Sequence, residues 1–152
     1  MKKLLDRIFI DGLGGMAQGL FATLIIGTII QQIGLFMGGG TGDLIYELGK
    51  IAAGLTGAGI GVGVARKLEA GHLVIVSAAV VGMIGAFAGK ILSGQVLVDG
   101  NLVLAGPGEP LGAFIAAYLA IEIGILVTGK TKLDIILTPL VCIGTGSVVG
   151  LV

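Results

Sequence analysis

The sequence predicts an all-α integral membrane protein with about five transmembrane helices. Three observations predict it. Mean hydropathy is +1.11 and 55% of the residues are hydrophobic, whereas charged residues are 12% of the chain against about a quarter in soluble proteins. So few charges cannot cover the surface of a soluble domain of 152 residues. Glycine supplies 30 of those residues without a collagen-like triplet or a linker pattern, and small residues let helix backbones approach one another in a bilayer. Apolar runs also recur near the ~20 residues that a bilayer requires. The formal net charge is zero, which gives no basis for a nucleic-acid partner. The single Cys142 lies in an apolar run and excludes an intrachain disulfide.

Residues 1–12 read as an interfacial amphipathic segment. Leu4, Leu5, Ile8 and Phe9 share one helical face, with Lys3, Asp6 and Arg7 elsewhere. The alternative is a plain extension of the first span. The apolar stretch that follows is too long for the core of a removable signal peptide, and no cleavage pattern follows it. The first span covers residues 14–37 and is stopped by Gly38, Gly39 and Gly40. The second covers 45–65, a short turn covers 66–71, and the third span is 72–92. The longest connection is 93–110. A fourth span, 111–129, and a fifth, 133–152, are joined by a tight turn at 129–132. Asp134 opens the fifth span, where an acid suits the helix dipole, and Pro139 should kink it. The whole of 1–152 is one transmembrane domain, with no short-period repeat.

Basic residues set the orientation. Lys2, Lys3, Arg7, Arg66, Lys67, Lys130 and Lys132 fall on one side, while Lys50 and Lys90 fall towards the other. This bias places the N-terminus in the cytoplasm of a multi-pass cell-membrane protein. The connection 93–110 and the segment from Asp43 to Lys50 then face outward. An odd number of spans and an apolar end at Val152 read as one half of an inverted-repeat transporter, completed by a second half or by further copies of the chain.

Small residues recur at four-residue spacing: Ala53, Gly57, Gly61 and Ala65; Gly112, Ala116, Ala120 and Gly124; and the pairs Gly15/Gly19 and Gly85/Gly89. Each stripe is a helix face for close packing, with a moving interface as the lesser reading. Polar residues at membrane depth are few. Gln18, Gln31 and Gln32 lie in the first span and Lys90 near the outer end of the third. Asp43, Glu47 and Lys50 read as a solvated face. Glu122 lies within the fourth span; it either pairs with Lys130 or another helix, or binds a proton or solute. His72 reads as an interfacial residue; a lone His without Cys or carboxylate neighbours is poor evidence for a metal site or a phosphoryl relay.

Gly106, Pro107, Gly108, Glu109 and Pro110 form the most informative segment. Two prolines remove backbone donors and block a continuous helix. Two glycines admit conformations closed to other residues. Irregular backbone of this kind survives in lipid only where protein buries it or water reaches it. The segment is therefore either an outer loop or a re-entrant lining of a polar cavity, with Glu109 as its acid.

The runs Gly106-Pro-Gly-Glu-Pro-Leu-Gly-Ala113, Ala120-Ile-Glu-Ile-Gly124 and Gly129-Lys-Thr-Lys-Leu-Asp-Ile-Ile-Leu-Thr-Pro-Leu140, with the opening Asp6-Arg-Ile-Phe-Ile-Asp-Gly-Leu-Gly-Gly-Met-Ala17, resemble the phosphotransferase-system EIIC type 2 family. That family includes proteins described as regulators of perfringolysin O, and the chain resembles their N-terminal half. The resemblance implies a membrane-embedded translocation subunit for a sugar or another small polar solute, working with cytoplasmic IIA and IIB components. It also implies that a Glu-Pro motif near a re-entrant segment contributes to the substrate site, as Glu109-Pro110 would here. The substrate-binding residues expected are Gly106, Pro107, Gly108, Glu109, Pro110 and Glu122. No cofactor, metal site or catalytic constellation is expected, so the chain has no catalytic centre of its own. The competing reading is a non-transporting membrane regulator or scaffold that assembles through its glycine-rich faces.

Overall fold

The structure, a computed structural model, describes residues 1–152. Helix α1 runs without a break over Lys2–Met37. Helix α2 covers Gly39–Gly54 and α3 Thr56–Lys67; α4 covers His72–Leu92. Two short strands follow, β1 Leu97–Val98 and β2 Asn101–Leu102, and then α5 Pro110–Val127 and α6 Asp134–Leu151. Helices α1, α4, α5 and α6 are each long and apolar enough to cross a membrane, and the bent pair α2–α3 makes up to five spans. The protein is an all-α integral membrane protein, as the composition predicts.

The first helix differs from the expected division at Gly12. Backbone dihedrals stay helical there (φ −61°, ψ −56°), with no proline or left-handed residue to stop the helix. Two wider, π-type turns, Arg7–Gly12 and Phe21–Ile25, are absorbed without a break. The result is 36 residues long, about 54 Å at ~1.5 Å per residue, far beyond a hydrocarbon layer of about 30 Å. Its two halves have different partners. Gly15 and Gly19 pack on Gly63 and Gly59 of α3, while Gly27 and Gly34 pack on α2 beside Ala53 and Tyr46.

The second expected span also differs. It begins at Gly39, because only Gly38 (φ +64°) and Gly39 (φ +65°) are needed to reverse the chain. It is then broken at Leu55, where α2 and α3 meet at 48°. The break has a local cause. The Leu55 N–H is shared between the carbonyls of Ile51 and Ala52, each at 3.2 Å. The buried Thr56 hydroxyl donates to the Ala53 carbonyl at 2.6 Å. A hydroxyl that competes for helix carbonyls loosens the ladder and bends the axis.

Helices α4, α5 and α6 lie over the apolar runs 72–92, 111–129 and 133–152. Pro110 takes the first position of α5, where its missing N–H costs nothing. Pro139 lies inside α6 without ending it. The bundle is held by backbone approach. A Cβ on Gly57 would meet the Gly82 carbonyl oxygen of α4 at 2.6 Å, and one on Gly85 would meet the Gly112 carbonyl oxygen of α5 at 2.5 Å. Gly61 sits against Ala78, Gly124 against the Cys142 thiol and Gly146 against Val81. Between these contacts lies a core that includes Ile60, Val64, Val74, Phe87 and Ile121, all fully buried. Lipid is as apolar as leucine, so such close packing, rather than hydrophobic drive, holds the spans together. Gly14, Gly40, Gly89 and Gly144 instead have open space around them.

Candidate functional site

The site is built where α4 ends. Lys90, in its last turn, donates from Nζ to the Ala105 carbonyl at 3.2 Å and lies 5.5 Å above the Phe87 ring. Beyond Leu92 the chain makes the small β1–β2 hairpin, closed by Val103 N–H to the Val96 carbonyl at 2.7 Å. It then returns without helical structure alongside α4. Gly106 (φ +83°) and Gly108 (φ +71°) take left-handed conformations. Gly108 has a second constraint: a Cβ there would lie 2.7 Å from the Ala86 carbonyl oxygen. The Glu109 N–H donates to that same oxygen at 2.7 Å. The docking point is six residues before Leu92, about 9 Å back along α4. Glu109 then becomes the residue that precedes α5, without a side-chain capping bond.

This return leaves an open cleft of about 510 Å³, lined by Ala86, Gly89, Lys90 and all of residues 105–110. Both charged side chains in it are exposed, and no ion pair joins them. The Glu109 carboxylate leans over the first turn of α5, with Oε2 3.8 Å from where a Cβ on Gly112 would be. The cleft thus offers a carboxylate as acceptor, an ammonium with unused donors, and backbone carbonyls exposed by two glycines. Such a set can hydrogen-bond hydroxyl groups from both sides. No group of three metal-ligating side chains exists.

Glu122 is elsewhere. It follows Glu109 by 13 residues on the same helix, about 20 Å at ~1.5 Å per residue. There it accepts from the Arg7 Nε of α1 at 2.5 Å, not from Lys130. The hydroxyl of Tyr118, one turn before it, is buried beside it without a well-formed hydrogen bond. The structure therefore gathers Gly106, Pro107, Gly108, Glu109 and Pro110 into one cleft and leaves Glu122 at the other end of α5. Asp134 accepts from the Thr138 hydroxyl at 2.7 Å, and Glu47 pairs with Lys50 at 3.2 Å on an exposed face. His72 is exposed at the start of α4.

A family model described as "Phosphotransferase system, EIIC" matches residues 10–152. The chain belongs to that EIIC family. It is accordingly a membrane component of a sugar-transport system. Comparisons with curated proteins and with solved structures give no match. Within this EIIC chain two participants escape a sequence reading focused on the Gly-Pro-Gly-Glu-Pro run. Lys90 reaches the cleft only because the 93–109 connection folds back over α4. Its one signal in the sequence is that few cations lie at that end of the chain. Tyr118 is visible only as the residue one helical turn before Glu122.

Proposed function

We propose that this EIIC chain is the translocation subunit for a neutral sugar or a similar polyhydroxylated solute, and that the cleft at residues 105–110 holds that solute. The observation that carries the reading is the return of the Gly106–Pro110 segment onto Ala86, which places Glu109 and Lys90 on one open cavity. The opposite charges cancel, so the cleft favours a neutral ligand over an ion. Charge-assisted hydrogen bonds to hydroxyls are the strong ones, and the left-handed glycines let a ligand approach the backbone. Cytoplasmic IIA and IIB components would supply the phosphoryl group, because this chain holds no phosphoryl-carrying Cys or His site. A second half, or another copy of the chain, would complete the path.

The test is Glu109→Gln, which keeps shape and removes charge. Equilibrium binding of radiolabelled glucose, galactose and N-acetylglucosamine to membranes carrying the protein should weaken about tenfold, from the loss of roughly 1.4 kcal/mol of charge-assisted bonding. Lys90→Met should weaken the same ligand, with the fold intact by size-exclusion chromatography. Unchanged binding in both variants would sink the cleft as solute site and favour the regulator or scaffold reading.

A further inference from the structure

We propose that the Arg7–Glu122 pair, with the Tyr118 hydroxyl beside it, closes the solute path at the end of the bundle opposite the Gly106–Pro110 cleft; this rests on reading that cleft as the solute site. Helix α5 links the two places, beginning just after Glu109 and carrying Glu122 near its far end. Across from it, α1 meets α5 at two levels. One is the ion pair, which joins residues 115 apart in sequence. The other is Gly12, where a Cβ would lie 3.3 Å from the rings of Phe114 and Tyr118. Glycines also fasten this half of α1 to α3, through Gly15 and Gly19. The Arg7–Glu122 bond is the one side-chain hydrogen bond that crosses the α1–α5 seam.

The pair is built to part. Arg7 uses only Nε, leaving both terminal nitrogens without a protein partner. The two side chains are 36% and 31% exposed, so the pair lies at the surface of the bundle. Tyr118 is 7% exposed and its hydroxyl is buried beside Glu122 without a well-formed hydrogen bond. A buried donor whose bond is poorly formed disfavours the arrangement that buries it. Separating α1 from α5 would admit water to that hydroxyl. The cleft is open in this same structure, while the ion pair holds the seam shut. One end open with the other closed is what alternating access requires.

The experiment uses the full chain in permeabilised membrane vesicles, with Cys142→Ala removing the native thiol. Ile8→Cys then supplies a reporter, since Ile8 is half-buried against the core beside Arg7. Labelling by an impermeant maleimide reports opening of the seam. Arg7→Gln and Glu122→Gln should each speed labelling about tenfold or more, because each leaves one charge unpaired. The swapped pair, Arg7→Glu with Glu122→Arg, should return close to the parent rate. Tyr118→Phe removes the poorly bonded hydroxyl and keeps the ring, so labelling should slow by about threefold. Equal rates in all variants, or faster labelling of Tyr118→Phe, would overturn the closure, whatever the fate of the charge variants' folding. Binding of radiolabelled glucose, galactose and N-acetylglucosamine in the same vesicles separates the two readings. If Glu109→Gln leaves that binding unchanged, the cleft reading fails and the seam is a brace rather than a closure. If binding depends on Glu109 but labelling does not respond, the closure alone fails.

Discussion

Glycine at one position in this chain is not equivalent to glycine at another, and the difference can be measured. Gly61 faces the Ala78 backbone so closely that any Cβ would overlap a carbonyl oxygen. That oxygen belongs to α4 itself and cannot swing aside as a side-chain tip could. Gly61→Ala should therefore lower stability by about 1–3 kcal/mol, the range for overpacking, read as an earlier thermal transition in detergent. Gly89, in the same structure, has nothing within 4 Å of its would-be Cβ. There alanine restricts the unfolded chain and suits a helix, so Gly89→Ala should be neutral or raise stability by about 0.5 kcal/mol. Both residues read alike in the sequence as members of small-residue stripes. Spacing reveals which face is small. It does not reveal where that face outruns its partner, as α4 does at Gly89. The same limit applies to charge: Glu122 was legible as a residue needing a partner, but Arg7 as that partner depends on α1 running straight through Gly12.

Among the elements, the hairpin of α2 with the second half of α1 stands apart. Its close contacts are internal: Gly49 against Gly27 and Gln31, and Gly34 against Tyr46. Its outer faces expose Ile29, Ile33, Leu44 and Leu48. The 48° bend at Leu55 turns it away from the axis of α3. Such a hairpin should open as a local unit, since free energies of opening follow the contacts each element makes. A Cβ on Gly49 would lie 2.6 Å from the Gln31 nitrogen. Gly49→Leu should thus raise hydrogen exchange in peptides from α2 while α4 and α5 stay protected. Equal deprotection of all helices would show one cooperative unit instead. Helices α4, α5 and α6 were legible to within a few residues, because Gly71, Pro110 and Gly129 punctuate long apolar runs. The α2–α3 break was not, because it is marked by a threonine hydroxyl and by Gly54, one glycine among many, rather than by a proline. The cleft was half legible: its Gly-Pro-Gly-Glu-Pro backbone could be read from the chain, but Ala86 as its anchor could not.

At the scale of the molecule, the cations sort by end. The start of α1 carries Lys2, Lys3 and Arg7. Arg66 and Lys67 close α3, which packs antiparallel to α1 with Gly63 opposite Gly15. Lys130 and Lys132 follow α5, whose Glu122 meets Arg7. The fold therefore brings all seven to one end of the bundle. Lys90 lies at the opposite end, beside the cleft. Short, basic-rich connections are retained in the cytoplasm because moving each cation across the membrane is unfavourable. The expected topology has the N-terminus and the Arg7–Glu122 seam on the cytoplasmic side, with the β1–β2 hairpin outside. Asp99 and Asn101 sit at the tip of that hairpin, Asp99 in a left-handed turn (φ +51°), and both are exposed. Asn101→Cys in the Cys142→Ala chain should react with an impermeant maleimide in intact cells, while a cysteine at Lys130 should react only after permeabilisation. The reverse pattern would invert the protein, and the cleft would then open to the cytoplasm and the seam to the outside. If the cleft is the solute site as proposed, that outcome would also reverse the direction in which solute meets the two, so this measurement fixes which end would admit the solute.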